Sequence, residues 1–375
     1  MPEIHDWQRA PDPRAVVRRA AETLRAGGVV AFPTEAGYHL TASGLAPEAV
    51  GRLRGAGTTE PEAPLPLAVP GAAAARDWAP GMGPLGRRLA RRFWPGPLTL
   101  ESGEGVGDGL AGRLPDAVRQ EVCRDGRLRL RCPAHEAVLA VMRQLAGPLV
   151  LGPDAAGDAA EDVRALGDRA AMVVDDGPAP ERQSATVVQV EGASWKVVRP
   201  GAVSADALQR QAACLVVFVC TGNTCRSPMA EALCKARLAE RLGCTATDLP
   251  GRGFHVYSAG LSAMTGGPAA DEAVDAARAY GADLTTHASR PLTADLAARA
   301  DYLVTMTRGH LTVLTERYRG LAARPRLLSA AGDDLADPVG CSRPVYEECA
   351  RRIWGCLESF VEELHPPASN ASPNG

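Results

Sequence analysis

Cys214-Leu215-Val216-Val217-Phe218-Val219-Cys220-Thr221-Gly222-Asn223-Thr224-Cys225-Arg226-Ser227-Pro228 is the stretch on which the fold turns. Its first six residues are continuously apolar and rich in β-branched side chains, which predicts a buried strand of a parallel sheet. A polar turn, Thr221 to Arg226, follows at once, and a helix is predicted from Pro228. Strand, tight turn and helix in that order deliver Cys220 to the carboxyl edge of a sheet, where open α/β folds bind ligands. Gly222 permits close backbone approach, and successive N–H groups of the turn can form a nest for an anion. The helix N-terminus and the planar fork of Arg226 suit a phosphoryl group. All of these features favour a thiolate at Cys220.

A cysteine followed six places on by an arginine is weak by itself. Ten cysteines and 39 arginines in 375 residues give roughly one such pair by chance. Cys123 and Arg129 share the spacing, but the residues between them are charged and no buried strand precedes them. Context marks out Cys220.

Working outward, helices are predicted at Ala269 to Tyr280, Thr293 to Ala300 and Pro344 to Glu363, with strands at Tyr302 to Thr305 and Arg326 to Leu328. Alternating strands and helices mean a parallel sheet covered on both faces. Asp337-Pro338 lies on a late loop before the last helix and is the candidate proton donor for a leaving group. Upstream, Pro13 to Ala26 reads as a helix closed by Gly27-Gly28, and Val29 to Phe32 as a strand. A looser region rich in Gly, Pro and Ala is expected up to about residue 115. Strands at Leu128 to Cys132, Pro148 to Leu151, Met172 to Val174, Thr186 to Val190 and Lys196 to Val198, with a helix at Glu136 to Leu145, complete a second α/β pattern. Residues 204–213 read as a linker and residues 366–375 as a disordered tail.

The chain is 46% hydrophobic and 23% charged with a net charge of −3, so no global basic field recruits nucleic acid or an anionic membrane. No apolar run reaches a membrane span and the start lacks a signal-peptide pattern, so a cytoplasmic protein is expected. Its thiols are then expected to be free or catalytic, with Cys234, Cys244, Cys341, Cys349 and Cys356 as packing residues. No cysteine spacing suggests zinc, and no metal is expected. Only two of the 41 basic residues are lysines, Lys196 and Lys235.

Residues 214–365 resemble the low-molecular-weight protein phosphatases. The resemblance is carried by Val219 to Glu231, Tyr257-Ser258-Ala259-Gly260, His287-Ala288-Ser289-Arg290, Ala300-Asp301-Tyr302 with Met306, and Asp337-Pro338, in that order. It implies a four-stranded parallel sheet with helices on both faces. It also implies that Cys220 attacks phosphorus to form a cysteinyl-phosphate, with Arg226 and the loop holding the phosphoryl oxygens. Asp337 is then the acid and later the base. Thr221, Gly222, Asn223, Thr224, Cys225 and Ser227 bind substrate or brace the loop, and Cys225 can shield Cys220 as a reversible disulfide. His287 and His310 are expected to be structural. Thr224 resembles the protein-arginine-phosphatase branch, where tyrosine-directed members carry a bulky aliphatic residue. Val339 and Met264 stand where those members place aromatic residues. Phosphorylated proteins, bearing phosphoarginine or phosphotyrosine, are the implied partners.

Residues 1–203 resemble the YrdC-like threonylcarbamoyl-adenylate synthases through Ala31 to Tyr38, Phe93 to Thr99, Leu130 to His135, Ser184 to Val187 and Val198 to Gly201. A twisted α/β sheet with a positively lined cavity for threonine, bicarbonate and ATP is implied. This chain departs from the pattern in three places. Arg54-Gly55-Ala56 lacks the second cation of a phosphate clamp, Gly152-Pro153-Asp154-Ala155 lacks the polar nucleotide partners, and His39 replaces a small glycine. Loss of paired cations weakens ATP binding, so a catalytically degenerate module is expected. It retains a cavity lined by Arg129, Arg131 and Arg199 for a nucleotide or RNA. A bifunctional synthase and a nucleotide sensor gating the phosphatase are the alternatives.

Overall fold

The computed structural model describes residues 2–55, 60–152, 169–177, 183–319, 321 and 323–364. The chain divides between Gln211 and Ala212 into two compact units. The expected linker is mostly helical: Ala205–Ala212 forms two turns that end at this division.

The second unit is built on Cys214–Cys220. Alternate residues of this strand serve different cores, as the two-residue period of a strand requires. Val216 and Phe218 pack with Met229, Leu233, Tyr346, Ile353 and Phe360 on one face. Leu215, Val217 and Val219 pack with Leu292, Ala297, Leu303 and Leu314 on the other. Being buried on both sides is what makes the run continuously apolar. Phe254–Gly260 and Tyr302–Thr305 flank it, both parallel, and Arg326–Leu327 pairs in parallel with Tyr302–Thr305. The sheet is therefore four-stranded and wholly parallel among the described residues. The helices Arg226–Leu242, Asp271–Arg278 and Arg343–Glu362 lie on the first face, and Ala294–Arg299 and Arg308–Arg317 on the second.

The first unit holds a mixed sheet of 11 strands among the described residues. Its centre runs through Val30–Thr34, Gly37–Ser43, Leu149–Leu151, Leu67–Ala68, Arg127–Arg131, Leu98–Ser102 and Thr186–Glu191. The helices Pro13–Arg25 and Glu136–Met142 cover one face through Val17, Leu24, Val138 and Val141. The region expected to be loose up to residue 115 is instead ordered. It contains the strand Gly37–Ser43, the helices Pro47–Arg54 and Pro84–Phe93, and the strand Leu98–Ser102. Two of its prolines, Pro47 and Pro84, open helices, where proline costs no hydrogen bond.

Candidate active site

Cys220 ends its strand with 3% exposure, and the backbone turns immediately over Gly260 of the neighbouring strand. A Cβ on Gly260 would stand 2.5 Å from the Thr221 carbonyl oxygen and 3.1 Å from the Asn223 nitrogen, so only glycine allows the loop to close there. Leu261 N–H donates to the Cys220 carbonyl and Ser262 N–H to that of Thr221, tying the loop to the sheet edge. The helix begins at Arg226, two residues before the predicted start, with Pro228 inside its first turn.

The loop wraps around the sulfur. Asn223 N–H donates to Cys220 Sγ at 3.3 Å, and Ser227 Oγ lies 2.9 Å from the same sulfur. Asn223 makes this possible by taking a left-handed conformation, φ 58°, which is uncommon for a residue with a side chain. It is fully buried, and the cost of that backbone is offset by bonds from every side. Its Nδ2 donates to Ser227 Oγ (3.0 Å) and Ser258 Oγ (2.8 Å), and its Oδ1 accepts from Arg290 N–H (2.9 Å). His287 Nε2 donates to its carbonyl at 2.8 Å.

His310 braces the other side of the loop, with Nε2 2.9 Å from Thr221 Oγ1 and Nδ1 3.0 Å from Thr307 Oγ1. Burial, helped by the charge of Arg226, holds the imidazole below its ordinary pKa. Both histidines thus contact the loop frame, as structural residues do.

Arg226 is 5% exposed and is anchored by its Nη1 donating to the Leu335 carbonyl. Its Nη2 is paired with Asp337 Oδ2, and its buried Nε makes no hydrogen bond. Asp337 is itself 42% exposed on its side chain. Thr224 and Gly222 are half-buried; Thr224 Oγ1 lies 3.6 Å from Cys225 Sγ, and a Cβ on Gly222 would lie 3.6 Å from the same hydroxyl. Cys225 is buried with a free thiol 3.4 Å from the Tyr346 hydroxyl, whose pKa is raised chiefly by burial. Met264 and Val339 are both strongly exposed.

Of the cysteines expected to pack, Cys234 and Cys349 are buried and burial raises both thiols, Cys349 to about 12. Cys341 is exposed instead, because it closes the turn after Pro338 by donating its N–H to that carbonyl.

In the first unit, the arginines expected to line a positive cavity each face a carboxylate. Arg129 pairs with Glu101 at 2.8 Å and Glu60 at 2.6 Å, and Arg199 lies 3.8 Å from Glu60. Arg131, 1% exposed, pairs with Glu35 at 2.8 Å and meets His39 Nε2 at 3.0 Å. Burial is the largest single influence on Glu35 and would raise it, but the charge and hydrogen bond of Arg131, together with backbone N–H donors including that of Ala134, hold the carboxyl below its ordinary value. The wall is therefore an ion-paired lattice and not a bare positive field. Arg54 donates to Glu121 Oε2, the Glu121 carbonyl and the carbonyls of Pro61 and Ala63. Ala56, residues 153–155 and the expected tail lie outside the described residues.

One part of the site went unread in the sequence. Ser258 Oγ donates to Glu231 Oε2 at 2.7 Å, and Lys235 Nζ pairs with Glu231 Oε1 at 2.5 Å. Glu231 and Ser258 stand in the family blocks but their contact was not read, and the only sequence signal for Lys235 was its helical i, i+4 spacing from Glu231.

Comparison with known proteins follows the same division. Residues 215–369 match the family model for low molecular weight phosphotyrosine protein phosphatase, and residues 22–201 that of the Sua5/YciO/YrdC family, described as telomere recombination. A protein-arginine-phosphatase of Bacillus subtilis is 35% identical over 153 residues, 40% of this chain and 95% of that protein. A low molecular weight protein-tyrosine-phosphatase of Streptomyces coelicolor is 40% identical over 175 residues, 41% of this chain and 98% of that protein. A putative threonylcarbamoyl-AMP synthase of Mycobacterium tuberculosis is 29% identical over 192 residues, covering 50% of this chain and 84% of the relative. No helix among the described residues is long and apolar enough to cross a membrane. The second half of the chain thus belongs to the low molecular weight phosphotyrosine protein phosphatase family, and the protein is a phosphatase whose first half matches the Sua5/YciO/YrdC model over residues 22–201.

Proposed function

We propose that the protein hydrolyses phosphorylated proteins through a cysteinyl-phosphate on Cys220. The observation that carries the reading is the convergence of Asn223 N–H and the Ser227 hydroxyl on Cys220 Sγ, in a loop closed by Arg226. Donors aimed at the sulfur stabilise a thiolate, the reactive form. Cys220 Sγ attacks phosphorus in line, and the bond from phosphorus to the leaving oxygen or nitrogen breaks. Loop N–H groups and Arg226, whose Nε has no other acceptor, hold the equatorial oxygens. Asp337 gives its proton to the leaving atom and then takes one from the water that splits the sulfur–phosphorus bond. A substrate oxyanion displaces Asp337 from Arg226, which frees the carboxyl for that work.

Phosphoarginine is the substrate the site favours. Thr224 carries a hydroxyl in the loop where a bulky aliphatic side chain would narrow it, and the hydroxyl can orient the attacking water. Likeness to a protein-arginine-phosphatase supports this reading. Likeness to a protein-tyrosine-phosphatase, at 40% identity, supports phosphotyrosine instead. Hydrolysis of matched phosphoarginine and phosphotyrosine peptides by the full chain, beside Cys220→Ser, decides between them. Cys220-dependent turnover with phosphoarginine preferred is expected. Preference for phosphotyrosine would keep the mechanism and overturn the specificity.

For the first unit we infer a module that has lost synthase chemistry. Arg54 spends its donors on its own fold, and His39 sits against Arg131. A nucleotide- or RNA-binding role rests on the family match of residues 22–201, since the three arginines are already paired. Incubation with ATP, threonine and bicarbonate is expected to give no threonylcarbamoyl-adenylate. Formation of that product would establish the bifunctional alternative.

A further inference from the structure

The hydrogen-bond chain that reaches Cys220 continues beyond Asn223, and its direction can be worked out from donors that have no choice. Arg290 N–H can only donate, so it fixes Asn223 Oδ1 toward itself and turns both Nδ2 hydrogens to Ser227 and Ser258. Each hydroxyl oxygen therefore accepts from the amide, and each hydroxyl proton must go elsewhere. Ser258 gives its proton to Glu231. Ser227 has Cys220 Sγ at 2.9 Å, with the Ala259 carbonyl as a poorer acceptor at 3.4 Å. Glu231, only 7% exposed, could accept or donate according to its protonation. Lys235, one helical turn on and one of two lysines in the chain, takes its other oxygen.

We propose that Glu231 and Lys235 are positioning residues for the reaction at Cys220. The ammonium of Lys235 holds Glu231 Oε1 and leaves Oε2 to accept from Ser258. Ser258 then donates outward, the Asn223 amide is held between two hydroxyls, and the Ser227 proton points at the sulfur. Lys235 also compensates the carboxylate charge, which would otherwise oppose the thiolate along the same chain. Neither residue touches the substrate. The inference rests on the reading of Cys220 as nucleophile.

A double-substitution cycle in the full chain tests it. In Glu231→Gln the ammonium draws the amide oxygen, so the amide nitrogen faces Ser258; the hydroxyl oxygen can accept both N–H groups, but its own buried proton is left without an acceptor. kcat is expected to fall about tenfold or more, the scale of one buried unsatisfied polar group, with KM nearly unchanged. Adding Lys235→Met lets the amide turn its oxygen to Ser258, so the double variant is expected to recover most of the loss. Lys235→Arg should match the parent. Iodoacetamide alkylation of Cys220, followed on its own peptide by mass spectrometry, should rise and fall with kcat. Additive losses in the double variant, or an unchanged Glu231→Gln, would overturn the proposal. Turnover that survives Cys220→Ser would sink the nucleophile reading itself, and this inference with it. If Glu231→Gln does not fold, Lys235→Met against Lys235→Arg carries the test. Slower alkylation, by several-fold, in the first alone supports the proposal, and equal rates overturn it.

Discussion

Arg226 and Arg131 are both almost wholly buried and both pair with a carboxylate, yet they sit in opposite kinds of place. Asp337, the partner of Arg226, is 42% exposed on a loop, and in the proposed reaction it gives way to the substrate oxyanion. Glu35, the partner of Arg131, is 19% exposed and its second oxygen accepts from Ala134 N–H. Arg131 is held further by His39 and Thr34. Breaking that cluster strands a buried charge, which is costly. The exposure of the acid, and not the presence of the arginine, separates the two ion pairs.

The largest effect that sharpens this contrast falls on Asp337. Asp337→Asn should lower kcat on a phosphopeptide by about 10²–10⁴, the range of general acid–base catalysis, with the fold intact. A loss within twofold would return Asp337 to the status of a counter-ion. Next, Arg131→Met should destabilise the first unit by about 3 kcal/mol, because Glu35 is left buried and unpaired. Arg226→Met should abolish turnover while costing the second unit less, since Asp337 can turn to water. Urea melts of both variants check this, and equal destabilisation would erase the distinction drawn here. A smaller effect is expected at Thr224. Thr224→Ile should shift the ratio of phosphotyrosine to phosphoarginine turnover upward by about tenfold, one contact's worth of discrimination.

The smallest effect concerns pH. The folded state holds His310 below its ordinary pKa, so the unfolded chain binds the proton first as the solution is acidified. The stability of the second unit is thus full above the ordinary histidine value and falls as pH drops toward the depressed one. In His310→Gln that slope should flatten. Melts at pH 7.5 and pH 5.5 would show it, and an unchanged slope would place the titration elsewhere.

What could be read from the sequence followed from how one-sided each signal was. Cys214 to Val219 was legible because both faces of that strand are buried and nothing polar interrupts it. Phe254–Gly260 was missed as a strand because it lies at the sheet edge, where His255 and Tyr257 are only half-buried and break the apolar run. Arg308–Arg317 escaped for a related reason, with only His310 and Leu314 buried along it. Cys220, Arg226 and Asp337, the last two paired in the structure, were singled out from local chemistry and family spacing. The Glu231–Lys235 pair was not, because its meaning depends on Ser258, 27 residues away. The pairing of Arg129 and Arg131 was not legible because sequence shows cations without the carboxylates that the fold brings to them.

The central claim is a covalent phosphoryl group on Cys220, and trapping it is the most direct measurement. p-Nitrophenolate leaves without help from an acid, so p-nitrophenyl phosphate should load Cys220 in Asp337→Asn while the variant's missing base slows release. Acid quench followed by mass spectrometry is then expected to find one phosphoryl group on the Cys220 peptide. Continued release of p-nitrophenolate with Cys220 unmodified, or with the label on another residue, would contradict the account.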